Sequence, residues 1–96
     1  MISNNLFSLK GKTALVTGGS TGIGLMATAG LISAGAKVFI VSRKLENCRN
    51  AANELNNHGF DGEVIPFRGD LGSEAGINNI IDEIYSKSSE LHILIN

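Results

Sequence analysis

The stretch TALVTGGSTGIG, Thr13 to Gly24, places four glycines in its last seven residues, directly after an apolar run. Glycine has the most backbone freedom to lose on folding, so such a cluster marks a tight turn or a close approach to the main chain. A turn from a strand into a helix gives both reasons. The first N–H groups of a helix have no intrahelical acceptor, and the positive end of its dipole lies there. Such an end holds a phosphate if no side chain blocks the approach. Gly18, Gly22 and Gly24 would then serve the turn, the approach of a pyrophosphate and the packing of helix on strand, with Ser20 and Thr21 adding hydroxyl donors. The plainer alternative is an ordinary glycine-rich turn. The position after a strand, at the start of a helix and within a β-α-β unit favours dinucleotide binding.

A second group with chemistry follows the next apolar run, at Ser42, Arg43 and Lys44. An Asp or Glu at the end of a second strand would accept from the ribose of NAD, whereas an Arg there accommodates a 2′-phosphate. A guanidinium pairs bidentately with phosphate and Ser42 adds a donor, so the residues favour NADP(H) over NAD(H). The alternative is a solvated basic pair at the start of a helix. The remaining chemistry-bearing residues have structural readings: His58 as a cap at a helix end, His92 as a surface residue and Cys48 as a small buried apolar group. Tyr85, the only tyrosine, has Lys87 two residues on.

These residues need elements to position them. Runs rich in Val, Ile and Phe predict strands at Thr13–Thr17, Lys37–Ser42, Glu63–Phe67 and His92–Ile95. Their continuity indicates strands covered on both faces. Between them lie helical patterns. Gly22 to Ala34 carries Ile23, Met26, Ala27, Gly30 and Ala34 on one face, whose mostly small residues would bring the helix close to a sheet. Leu45 to His58 aligns Leu45, Cys48, Ala52 and Leu55, with Gly59 placed to end the helix in a left-handed conformation. Ser73 is the expected N-cap of a third helix, with Glu74 in its first turn and Ile77, Ile80, Ile81, Ile84 and Tyr85 as its apolar stripe. The alternation predicts an α/β fold, a Rossmann-type doubly wound parallel sheet of β-α-β-α-β-α-β form with strand order 3-2-1-4. That order makes the third strand an edge, where Pro66 is tolerated.

Composition narrows the partners. At 96 residues the chain is one domain or part of one. Eight Lys and Arg against nine Asp and Glu give a net charge of −1, which offers no attraction to nucleic acid or an anionic membrane. A lone cysteine without a metal-ligand cluster fits a reducing compartment. No apolar run approaches the roughly 18 to 20 residues that span a bilayer, so a cytoplasmic location is expected.

TGGSTGIG has the spacing TGxxxGxG and resembles the cofactor motif of the short-chain dehydrogenase/reductase superfamily. The resemblance extends through GKTALVTGGSTGIG, AGAKVFIVSR, GDL and the terminal LHILIN, in the family's order and intervals. AGAKVFIVSRKLENC and DLGSEAG are most similar to 3-oxoacyl-acyl-carrier-protein reductases of the rhamnolipid-biosynthesis type and their fungal relatives. The resemblance implies a cofactor set of Gly18, Ser20, Thr21, Gly22, Ile23, Gly24, Ser42, Arg43, Asp70, Leu71 and Asn96. Asp70 and Leu71 match the pair beside the adenine, with a cap of the next helix or turn as the alternative for Asp70. Asn96 matches the first residue of the family's NNAG motif. Thr21 stands where many NADP-preferring relatives carry a basic residue.

The family's catalytic serine and Tyr-x-x-x-Lys pair lie beyond NNAG, so residues 1–96 are expected to form the cofactor-binding part of one Rossmann domain, with no catalytic and no metal-binding residues. Hydride transfer to a carbonyl, carried on a small molecule or an acyl carrier, would belong to a longer, homo-oligomeric reductase. The isolated chain would be marginally stable and inactive. A truncated, non-catalytic nucleotide-binding or interaction module is the alternative.

Overall fold

The computed structural model describes residues 8–18 and 21–96. Its elements alternate as β1 (Thr13–Thr17), α1 (Gly22–Ser33), β2 (Lys37–Ser42), α2 (Leu45–Asn56), β3 (Glu63–Arg68), α3 (Glu74–Lys87) and β4 (Ile93–Ile95). The strands form one parallel sheet in the order β3-β2-β1-β4, as the sequence predicts. The third helix pattern and the strand pattern fix the layers. Successive side chains of a strand face opposite sides. Ala14, Val16, Val38, Ile40 and Val64 accordingly pack with Ile32 of α1 and with Cys48, Ala51, Ala52 and Leu55 of α2. Leu15, Phe39, Val41 and Phe67 pack with Ile80 and Ile84 of α3 on the other face. The Phe39 and Phe67 rings meet edge to face, 6.1 Å apart at 76°, the arrangement that their quadrupoles favour.

Two helices bury different residues from those that spacing suggests. In α1 the core side carries Thr28 and Ile32, with Leu25, Ala29 and Leu31 packed against it, while Ile23 and Met26 are exposed. The reason lies in GIGLMATAGLIS itself, which is apolar on every side, so periodicity selects no face. Thr28 is tolerated inside because its hydroxyl donates to Gly24 O at 2.8 Å. In α3 only Ile80 and Ile84 of the five-residue stripe are buried; Ile77, Ile81 and Tyr85 remain exposed. A single sheet contact covers a narrower strip than the stripe spans.

The helix ends follow the sequence more closely. Ser73 accepts from Gly76 N at 3.0 Å and Glu74 lies in the first turn of α3. Helix α2 stops at Asn56, two residues short of the expected end, and Gly59 then adopts a φ of +74°. His58 does not cap it with its side chain. Its ring stacks on Phe60 at 5.6 Å.

The edges of the sheet differ. On β3 the Asn56 side chain acts as a substitute strand: its amide donates to Val64 O at 3.0 Å and its carbonyl accepts from Val64 N at 2.9 Å. Two residues further along the same edge, Pro66 has no N–H to leave open. At the opposite edge β4 is fastened to β1 at its start. His92 N donates to Thr13 O at 2.9 Å and Thr13 N donates to His92 Nδ1 at 3.0 Å. That contact places the ring proton on Nε2, which faces Glu90 Oε2 at 3.0 Å. His92, expected at the surface, is exposed as a residue, with its ring engaged by the backbone.

Asn56→Ala would leave both polar groups of buried Val64 without partners. The expected cost is about 1–3 kcal/mol, read as a lower denaturation midpoint, with greater aggregation on warming through the exposed edge.

Candidate functional site

Parallel pairing sends every strand's carboxyl end to one rim. The β1–β2 register runs from Thr13 opposite Lys37 to Thr17 opposite Val41, so Gly18 and Ser42 leave the sheet side by side. The β2–β3 register ends with Ser42 opposite Arg68, and Gly69 N then donates to Ser42 O at 3.0 Å. Chain order reverses at β1, between β2 on one side and β4 on the other. Open α/β sheets bind ligands outside the strand ends at such a reversal.

Gly18 and Gly22 have φ of +69° and +56°, a region that L side chains rarely adopt. A Cβ built at either would meet nothing within 4 Å, so it would occupy open space at the mouth of the turn. Between them Thr21 is the N-cap of α1, with extended backbone and no side-chain cap bond, and the first turn carries no acidic residue. Thr21 therefore leaves the N–H groups that open α1, at Gly22, Ile23 and Gly24, without a cap bond from its side chain, in contrast with α3, which Ser73 caps. These residues fit an incoming phosphate group. Ser20 lies outside the described residues.

Beside this turn is a pocket of about 230 Å³ lined by Gly18, Val41, Ser42, Arg43, Gly69, Leu71 and Gly72. It unites four of the residues predicted from sequence: Gly18, Ser42, Arg43 and Leu71. Ser42 Oγ accepts from Lys44 N at 3.1 Å and so holds the start of α2. Asp70 lines an adjoining pocket, and its Oδ1 accepts from Gly72 N at 2.8 Å. Its carboxylate therefore closes the loop into α3, while Ser73 caps that helix. Asn96 sits at the end of β4, where Thr17 Oγ1 lies 3.3 Å from its Oδ1 and 3.4 Å from Ile95 O. That contact places Asn96 beside the end of β1.

Sequence reasoning passed over Gly69, Gly72 and Arg68. The signal was present in RGDLG, where glycines bracket Asp70 and Leu71 directly after a strand. Glycine is required at position 69, since a Cβ would come within 2.7 Å of both Val41 and Ile80.

A larger cleft of about 490 Å³ lies at the opposite rim, among Lys12, Lys37, Asp61 and Glu63. Its two cations and two acids cancel, and it faces the amino ends of the strands. Among the described residues, no three His, Cys, Asp or Glu side chains come close enough to hold a metal ion, and no helix is long and apolar enough to cross a membrane.

A family model for short chain dehydrogenases matches residues 12–96. A rhamnolipids biosynthesis 3-oxoacyl-acyl-carrier-protein reductase from Pseudomonas aeruginosa is 48% identical over 94% of this chain and 34% of its own length. A solved RhlG/NADP active-site complex from the same organism superposes with a TM-score of 0.81 at 48% identity, over 94% of this chain and 34% of that one. An L-sorbose reductase from Gluconobacter frateurii, complexed with NADPH and L-sorbose, gives a TM-score of 0.84 at 29% identity, again over 94% and 34%. The chain thus spans about a third of the length of these relatives.

Cys48 supports the rim from below. It is fully buried in α2. Burial pushes its thiol pKa up, and the Ser42 side chain offsets this only in part. The reactive thiolate is therefore scarcer than for a free cysteine at neutral pH. A thiol-specific chromogenic reagent at pH 7 is expected to leave Cys48 unmodified in the native protein and to label it fully in denaturant.

Proposed function

The chain belongs to the short chain dehydrogenase family, and on that premise we propose that it forms the cofactor-binding part of an NADP-dependent oxidoreductase. The observation that carries the cofactor reading is the position of Arg43, on the rim pocket opposite Gly18 and beside Ser42. Among the described residues the ion pairs are Lys87–Glu83 and His92–Glu90, so the Arg43 guanidinium has no acidic partner. Its planar donors suit a 2′-phosphate. The dinucleotide would lie along the rim, its pyrophosphate at the opening of α1 and its adenosine end in the pocket walled by Arg43 and Leu71. When bound, it supplies the hydride.

The protein's own residues bind and orient. Gly18 and Gly22 leave the approach to the α1 N–H groups clear, and Ser42, Arg43 and Leu71 form the walls at the adenosine end. Asp70 and Asn96 complete the rim on either side, Thr21 caps α1, Ile23 and Gly24 lie in its first turn, and the Ser20 hydroxyl is proposed as a further donor to the cofactor. A carbonyl or alcohol is the proposed substrate of the whole protein. The likeness to a 3-oxoacyl-acyl-carrier-protein reductase supports a 3-oxoacyl thioester as the class to test first. Protonating the carbonyl oxygen needs a side chain of matched pKa within hydrogen-bond reach. We propose that this step and the homo-oligomeric assembly belong to further segments of a longer reductase.

Two measurements test this reading. Arg43→Glu in the complete protein is expected to weaken NADPH binding at least tenfold more than NADH binding, since it replaces attraction by repulsion at a phosphate; titration of cofactor fluorescence reads both. Equal losses would remove Arg43 from the 2′-phosphate site. The purified 96-residue chain, assayed with NADPH and a 3-oxoacyl thioester, is expected to show no turnover, and measurable turnover would overturn the division of labour.

A further inference from the structure

The pocket beside Arg43 continues beyond it. Arg43 and Gly69 line both the pocket described above and a second one of about 320 Å³, whose other walls are Arg68, Asp70, Gly76 and Asn79. Arg68 ends β3 directly opposite Ser42, so Arg68 and Arg43 emerge from neighbouring strand ends, with strands about 4.8 Å apart. Among the described residues neither makes an ion pair. The acid in the pocket, Asp70, is drawn into its own loop by the Gly72 N–H. Two guanidinium groups against one carboxylate leave the cavity positive.

The walls are also fixed in place. A Cβ at Gly76 would come within 2.0 Å of Asp70 O, so the first turn of α3 is pressed against the loop that bears Asp70. Gly69 is held by its bond to Ser42 O. The scaffold under the two arginines is thus set by main-chain packing, and each side chain needs only to swing over a defined opening.

We propose that Arg68 is a second specificity-determining residue, which with Arg43 holds the 2′-phosphate of NADP(H) across the join of the two pockets. This rests on the NADP reading above and extends it to a residue on a different strand. A phosphate dianion has enough acceptor oxygens for two guanidinium forks, and charge-assisted bonds of this kind are stronger than neutral ones. A ribose with a free 2′-hydroxyl offers no charge, so Arg68 contributes to binding NADP(H) and little to binding NAD(H).

The test compares the complete wild-type protein with Arg68→Gln, Arg68→Lys and Arg43→Gln, each titrated with NADPH, NADH and inorganic phosphate at low and moderate salt. The expected result is a loss of about tenfold in NADPH affinity for Arg68→Gln with NADH affinity within twofold of wild type, partial recovery in Arg68→Lys, and a weaker salt dependence of NADPH binding. Inorganic phosphate is expected to compete with NADPH in the wild type and to lose that competition in Arg68→Gln. If the wild type prefers NADPH and Arg43→Gln removes the preference while Arg68→Gln keeps it, Arg68 has no part in the site and the NADP reading stands. If Arg68→Gln lowers both affinities equally, its role is structural and the proposal fails. A wild type that binds NADPH and NADH equally overturns both readings.

Discussion

The parallel pairing of β1 with β2 is the constraint on which the rest depends. Two parallel neighbours cannot be joined by a tight turn; the chain must return the length of the sheet before it can pair again, and α1 makes that return. Once the return is made, Gly18 and Ser42 are bound to leave the same rim together. The β2–β3 crossover through α2 repeats the operation and adds Gly69, and the crossover through α3 brings β4 to the other side of β1. Residues separated by dozens of positions thus meet because each is the first beyond its strand or the last within it. The site is a consequence of strand direction before it is a consequence of any side chain.

Direction alone would not keep the rim open. The central strands are buried on both faces, so the helices must approach closely, and two of the close approaches occur next to the rim. Glycine sets the distance there. At position 69 a Cβ would collide with Val41 and Ile80, and at position 76 with the backbone of Asp70. These glycines differ from Gly18 and Gly22, around which a Cβ would find only open space. The first pair lets protein meet protein. The second pair keeps protein away from where a ligand would lie, at the cost of a backbone conformation with positive φ. One residue type serves opposite purposes within one rim, and the surroundings decide which.

That distinction marks the boundary of what was legible in the sequence. Strand runs such as KVFIVS are unambiguous, because β-branched and aromatic residues in a short continuous run bounded by turns have few alternatives, and the order β3-β2-β1-β4 follows from their alternation with helices. The glycine turn and the Ser42–Arg43 pair could be placed for the same reason: both sit at strand ends. Helix faces were harder. GIGLMATAGLIS carries apolar residues all round, and the core selected Thr28 and Ile32 through contacts with the sheet that no spacing encodes. RGDLG carried a local sign of glycines bracketing Asp70 and Leu71, but what defines Gly69 and Arg68 is a neighbour from another strand or helix. The edge protection by Asn56 is of this kind too, since a polar residue at a helix end gives no sign that its amide will pair with Val64.

Electrostatics at the rim makes the same point about averages. A net charge of −1 describes a chain with almost balanced charges and offers no attraction to nucleic acid or an anionic membrane. Yet screening confines the influence of an exposed charge to roughly 8–10 Å at physiological ionic strength, so a bound phosphate responds to the nearest groups and not to the total. At the amino rim Lys12 and Lys37 face Asp61 and Glu63, and the charges cancel. At the carboxyl rim Arg43 and Arg68 face Asp70 alone, and the Asp70 carboxylate is engaged by the Gly72 N–H. The helix that opens beside them adds the first-turn N–H groups that Thr21 does not cap and the positive end of its dipole. The two rims belong to the same strands, but charges balance at one and leave an excess of positive charge at the other. That local difference, fixed by which ends of the strands carry the arginines, favours the carboxyl rim over the larger cleft for the phosphate-bearing ligand proposed above.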